Sequence, residues 1–144
     1  MVKALESARL GESCGEVPIG AVIVHNNTII ASAHNLVETL NDPTAHAEMR
    51  VIQQAAKVLG TPRLVECQLY VTLEPCPMCA QAISFARIKT LYYGAYDPKG
   101  GGVDHGPKIF QQPTCHHAPE VYGGILEIEC GQILKDFFQA KRLD

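Results

Sequence analysis

The sequence predicts a three-layer α/β domain with a mixed five-stranded sheet, and three observations carry that prediction. Short β-branched runs alternate along the chain with stretches of helical spacing. The first two runs are separated only by Asn26-Asn27, which makes an antiparallel hairpin; the later runs are joined through helices and are expected to pair in parallel. The composition, 47% hydrophobic and 19% charged over 144 residues, is that of a single globular domain that folds without covalent staples.

Residues 2–11 place Val2, Leu5, Ala8 and Leu10 at helical spacing, with Gly11 as the stop. Glu16-Val17-Pro18 is a break. Residues 19–25 form an apolar strand and residues 28–32 its hairpin partner. Residues 35–43 are a polar loop. Thr44 is the expected N-cap of a helix over 45–59, in which Ala45, Met49, Ile52, Ala56 and Leu59 recur at helical spacing and which Gly60 ends. A third strand spans 67–72. Pro75 and Pro77 bracket a turn into a helix over 78–87, and Pro77 suits its first turn. A fourth strand spans 88–93. A long Gly- and Pro-rich loop covers 97–117, Val121-Tyr122 is a brief fifth strand, and a helix over 125–142 closes the chain. Its apolar stripe is Leu126, Cys130, Ile133, Leu134, Phe137 and Phe138.

No apolar stretch approaches the ~20 residues of a membrane span. Residues 1–10 carry charges throughout and lack an apolar signal core, so the expectations are a cytoplasmic location and no membrane association. A formal net charge of -3 excludes a strongly basic nucleic-acid coat protein. It leaves room for an enzyme that meets nucleic acid through a local patch. Six cysteines in a chain of ordinary core composition point to metal or catalysis rather than to a disulfide framework.

The chemistry concentrates in two segments, Pro43-Thr44-Ala45-His46-Ala47-Glu48 and Leu73-Glu74-Pro75-Cys76-Pro77-Met78-Cys79. Cys76 and Cys79 are three apart at a helix start, so both sulfurs can face one point, and the positive helix end favours their thiolates. One imidazole, His46, and two thiolates suit a single tetrahedral Zn²⁺. Three protein ligands leave a fourth position for water, which the metal converts to hydroxide near neutral pH. A hydroxide nucleophile needs a proton carrier, and Glu48 is the adjacent carboxylate. Residues two apart on an ideal helix point in nearly opposite directions, so spacing alone does not put His46 and Glu48 in one site. Cys76 and Cys79 taken alone also fit a redox pair or two buried small hydrophobes. A structural zinc would require a fourth ligand, for which Cys67, Cys115, His116 and His117 are available.

The H-x-E and P-C-x-x-C pattern resembles that of the cytidine/deoxycytidylate deaminase superfamily. Four segments, residues 16–22, 41–48, 69–76 and 93–100, look like those of the bacterial tRNA-specific adenosine deaminases, and the resemblance extends from about Glu16 to Arg142. It implies a cytidine deaminase-like α/β/α fold, one zinc per chain and a homodimer. The implied reaction converts the wobble adenosine of an arginine tRNA anticodon to inosine. By position it makes His46, Cys76 and Cys79 the zinc ligands and Glu48 the proton shuttle. It puts Asn35 against the flipped base, Asp97 and Lys99 in the loop beside the anticodon, and Phe137 along the RNA groove. The pentapeptide Pro75-Cys76-Pro77-Met78-Cys79 also looks like that of guanine deaminases, so deamination of a free base or nucleoside (guanine, cytosine or cytidine) is the alternative. A non-catalytic zinc-binding RNA partner subunit is a third reading, against which the presence of Glu48 counts.

Weaker signals have plainer explanations. Arg87, Lys89, Lys99, Lys108, Lys141 and Arg142 would neutralise phosphates if they converge, and otherwise form an ordinary solvated surface. Cys115-His116-His117 tempts toward a second metal, although adjacent residues rarely face one ion. Gly100-Gly101-Gly102 lacks the context of a phosphate loop and reads as flexible chain. Phe137-Phe138 reads mainly as core, with one ring available to RNA, while Asn35 and Asp97 are also good turn residues.

Overall fold

A computed structural model describes residues 1–143. Its centre is a five-stranded sheet in the order β2-β1-β3-β4-β5. The strands are β1 (Gly20–His25), β2 (Thr28–His34), β3 (Cys67–Leu73), β4 (Thr90–Ala95) and β5 (Glu120–Tyr122). β1 runs antiparallel to both β2 and β3, whereas β3, β4 and β5 are parallel, so the mixed sheet is as expected. Asn26 and Asn27 have φ of 51° and 60°, the paired left-handed conformation of a tight hairpin turn.

Strand alternation decides which side chains reach which layer. Ile23, Leu69 and Leu91 lie in register across three strands. They share one fully buried cluster with Val51 and Ala55 of α3 (Ala47–Leu59) and Ala80 and Ile83 of α4 (Pro77–Phe85). The opposite face carries α1 (Val2–Ser13) over β1 and β2, and α5 (Glu127–Leu143) over β4. Both helices come close because of glycines. A Cβ on Gly20 would collide with the Ala4 carbonyl, and one on Gly94 with the Cys130 thiol. No helix among the described residues is long and apolar enough to cross a membrane.

Several boundaries differ from the sequence reading. Gly11 does not stop α1; it lies inside the helix against His34, and the chain turns after Ser13 at Gly15, whose φ is 83°. The loop over 35–43 contains a one-turn helix, α2 (Val37–Leu40). α3 starts at Ala47 rather than Ala45, because Thr44 bonds Asp42 instead of capping, and His46 takes the cap position. α4 ends at Phe85, since Arg87 adopts φ 63° to turn into β4, which therefore begins two residues later than expected. Leu126 likewise has φ 52° and precedes α5. Of the predicted stripe on α5 only Cys130 is fully buried, packed with Leu5 and Ala95 where Gly94 lets the helix approach β4.

Candidate active site

β2 ends, β1 begins, and β3 and β4 end on the same edge of the sheet, where Gly20 pairs with His34 and Leu73 with Ala95. The N-termini of α3 and α4 point at that edge. His46 and Cys76 are the cap residues of the two helices, both extended, with ψ of 152° and 170°. Pro77 occupies the first position of α4, where a missing N–H costs no helical bond. Cys79 follows one turn in and is fully buried.

This cap geometry removes the difficulty over His46 and Glu48. The helical rotation per residue begins only at Ala47, so an extended His46 and a helical Glu48 can face one centre. Asn35 helps set the arrangement: its Oδ1 accepts the Ala47 N–H at 2.8 Å, capping α3 from the end of β2. That leaves the Asn35 amide NH₂ as the group offered to the adjoining cleft.

His46 Nδ1 lies 3.6 Å from Cys76 Sγ and 3.5 Å from Cys79 Sγ. Zinc bonds of about 2.3 Å to sulfur and about 2.0–2.1 Å to nitrogen, at tetrahedral angles, place a nitrogen and a sulfur about 3.6 Å apart. The three side chains therefore fit one small tetrahedral ion without rearrangement, and they form the one such group among the described residues. Cys67 begins β3 at the far edge of the sheet. Cys115 bonds Ser84 and the His117 carbonyl, while His117 bonds the Ile88 carbonyl. These contacts explain Cys115 and His117 as loop anchors, while His116 is exposed, and no second metal group occurs among the described residues.

The electrostatics match the geometry. A hydrogen bond from Cys79, opposed by burial and reinforced by His46, lowers the Cys76 thiol to about 4. The same sharing raises the Cys79 thiol, so the two sulfurs titrate as a pair. Glu48 is 4% exposed. Burial raises its carboxyl to about 7, the Cys76 thiolate adds to the rise, and His46 and the residue's own N–H oppose it. A cation at the trio would favour the carboxylate form.

A cleft of about 430 Å³ opens beside His46, within the range of small-ligand pockets. Val17, Ile19, Leu73 and Leu134 give it apolar walls, and Asn35, Asp97 and Phe138 also line it. Asp97 is thus brought to the site. Lys99 is exposed in the following turn and does not line the cleft. Phe138 is the ring on the cleft; Phe137 packs edge-on against it, with Lys141 5.4 Å from its ring centre. The suggested basic patch divides, since Arg87 and Lys89 precede β4 at the opposite sheet edge and Lys89 pairs with Glu66.

Two buried carboxylates at the site escaped the sequence reading. Glu16 accepts the Glu38 and Thr39 N–H groups and the Thr39 hydroxyl, holding α2 at the cleft. Glu74 gathers the loop after β4, including Gly101 and Gly102, which are buried rather than flexible. The available signal was an acidic residue beside an apolar strand or proline turn. Burial raises the pKa of Glu16, but the Thr39 and Glu38 donors bring it below its ordinary 4.5. A depressed folded-state pKa contributes stability above the unfolded value and loses it as pH falls through the folded one. Thermal midpoints should therefore decline below about pH 4.5, and less steeply in Glu16→Gln, in scans from about pH 6 to 3.

Comparison with known proteins decides the family. The model of the MafB19-like deaminases matches residues 1–142. The tRNA-specific adenosine deaminase of Agrobacterium fabrum is 58% identical over 144 residues, covering 100% of this chain and 95% of the relative. The chain belongs to the tRNA-specific adenosine deaminases. The Bacillus subtilis member of this family is 51% identical over 142 residues, covering 99% of this chain and 88% of its own. A structure solved in a study of A-to-I editing by tRNA:A34 deaminases at the wobble position of transfer RNA superposes with a TM-score of 0.91 at 57% identity. It covers 93% of this chain and 97% of that one. A guanine deaminase from Bacillus subtilis is more distant, with a TM-score of 0.66 and 37% identity over 99% of this chain and 91% of that one. The cytidine deaminase-like fold of the family is the one described above.

Proposed function

We propose that this chain is a single zinc-dependent deaminase domain that converts the wobble adenosine of a tRNA anticodon loop to inosine. The observation that carries the reading is the His46, Cys76 and Cys79 trio at zinc-fitting distances with buried Glu48 against it, in a chain similar throughout to tRNA-specific adenosine deaminases. The likeness to that family supports an arginine tRNA as substrate, a homodimer as the working assembly and the cytoplasm as its place. A splayed loop base costs less to extract than a paired one, which suits a cleft reached from single-stranded RNA.

When bound, zinc supplies a Lewis acid that lowers the pKa of water toward neutrality. The chain's own residues do the rest. Val17, Ile19, Leu73 and Phe138 enclose the purine and exclude bulk water. The Asn35 amide donates to the base edge and holds C6 toward the trio. Glu48 accepts the proton of the water that adds to C6, delivers it to N1, and assists the second transfer to the amino group. The C6–N bond breaks, and adenosine and water become inosine and ammonia. Asp97 orients the nucleotide at the cleft rim, Lys99 meets a phosphate beyond it, and Phe137 lies along the RNA beside Phe138.

Substrate competition tests the reading. An anticodon stem-loop with adenosine at the wobble position should release ammonia and should be unaffected by free guanine or cytosine. Release from free guanine, cytosine or cytidine, with none from the stem-loop, would replace tRNA by a small-molecule substrate.

A further inference from the structure

Glu74 is 2% exposed, and both its carboxylate oxygens are fully engaged. Oε1 accepts the Asp97 N–H at 3.0 Å and His105 Nδ1 at 2.7 Å. Oε2 accepts the N–H groups of Val103 at 3.2 Å, Asp104 at 3.0 Å and His105 at 3.1 Å. Five donors on one carboxylate saturate its roughly four lone-pair sites. Four of the five are main-chain groups of a single loop, so the interaction fixes a backbone path rather than pairing two charges.

The path begins and ends at the site. Glu74 stands two residues before Cys76 in the turn that carries the cysteines into α4. The Gly102 N–H bonds the Pro75 carbonyl in that turn, and Gly101 is so close that a Cβ there would collide with Glu74 Oε2. At the other end, Asp97 lines the cleft while its Oδ1 accepts the Lys99 and Gly100 N–H groups. One buried carboxylate therefore ties the cysteine turn to the loop that carries the cleft rim.

We propose that Glu74 is a positioning residue that clamps the loop over residues 97–105 onto the cysteine turn, so that Asp97 stands on the cleft wall before RNA arrives. The proposal rests on the tRNA-deaminase reading for its substrate. Its physical content is preorganisation: a loop held in the binding-competent form does not have to be ordered by the ligand, and a loop competent for only a fraction of the time weakens apparent affinity by that fraction.

Glu74→Gln keeps the shape and replaces one acceptor oxygen by an NH₂ that confronts N–H donors. It should raise KM for the anticodon stem-loop about tenfold or more and change kcat by less than about threefold, with zinc per chain unchanged. Amide exchange at Asp97, Val103, Asp104 and His105 should quicken by about tenfold or more, with α1, β1 and β2 unaffected. His105→Ala removes one donor from a half-exposed position. It should raise KM by about threefold in the same direction in a variant that remains folded at the assay temperature, and it decides the question if Glu74→Gln does not fold. Unaltered KM in His105→Ala and Glu74→Gln would overturn the proposal. Loss of zinc with collapse of kcat in Glu74→Gln would also overturn it, by assigning Glu74 to the metal turn alone. Amide exchange reads the clamp without turnover, so absence of inosine from the wild type would sink the tRNA reading and leave the clamp separately measured.

Discussion

Glu48→Ala is expected to lower inosine formation by on the order of 10³-fold or more while leaving zinc near one per chain. The two halves of this result come from different features. Glu48 is not one of the three side chains whose donor atoms converge, so its removal leaves the ligand trio intact. Yet it is the buried carboxyl in contact with Cys79, with a proton affinity raised to about 7 by burial. Addition of water at C6 and departure of ammonia both require a proton to move, and Glu48 is the carboxyl that the fold buries beside the trio to move it. Loss of zinc in Glu48→Ala would break the assignment of roles. Retained turnover would remove Glu48 from the reaction.

Cys76→Ser is expected to abolish stable zinc binding and to lower the thermal midpoint. The bonds of Cys76 to Cys79 and His46 favour its thiolate, whereas a serine hydroxyl stays protonated and is a poor zinc ligand. A metal bound to the folded state alone stabilises that state by mass action. A chelator should therefore lower the midpoint of the wild type toward that of Cys76→Ser and leave the variant unmoved. Elemental analysis supplies the direct check, and full zinc occupancy in Cys76→Ser would take this residue out of the site.

The parts of the site written in side-chain identity were legible in the sequence. His46, Cys76, Cys79 and Glu48 are chemically unusual residues at fixed offsets, and the hairpin at Asn26-Asn27 is a local turn preference. What stayed hidden depends on backbone. Whether His46 and Glu48 share a site turns on the extended cap at His46, and the capping oxygen comes from Asn35, twelve residues before Ala47 at the exit of β2. Glu16 and Glu74 take mostly main-chain N–H donors, which leave no mark on residue type. Gly101 and Gly102 looked flexible because their packing partners, Glu74 and Pro77, lie far back along the chain. Phe138 rather than Phe137 reaches the cleft because a rotation of one residue on α5 is set by tertiary packing. Arg87 and Lys89 are near Lys99 in sequence, but β4 carries them to opposite edges of the sheet.

The central claim is that the trio and Glu48 deaminate adenosine at the wobble position of a tRNA. Its most direct test is to incubate an arginine tRNA bearing adenosine there with the zinc-loaded wild type and read the base at every position. Inosine at the wobble position alone, and none after incubation with Glu48→Ala, is the predicted result. Unchanged adenosine after incubation with protein shown to hold one zinc per chain would contradict it.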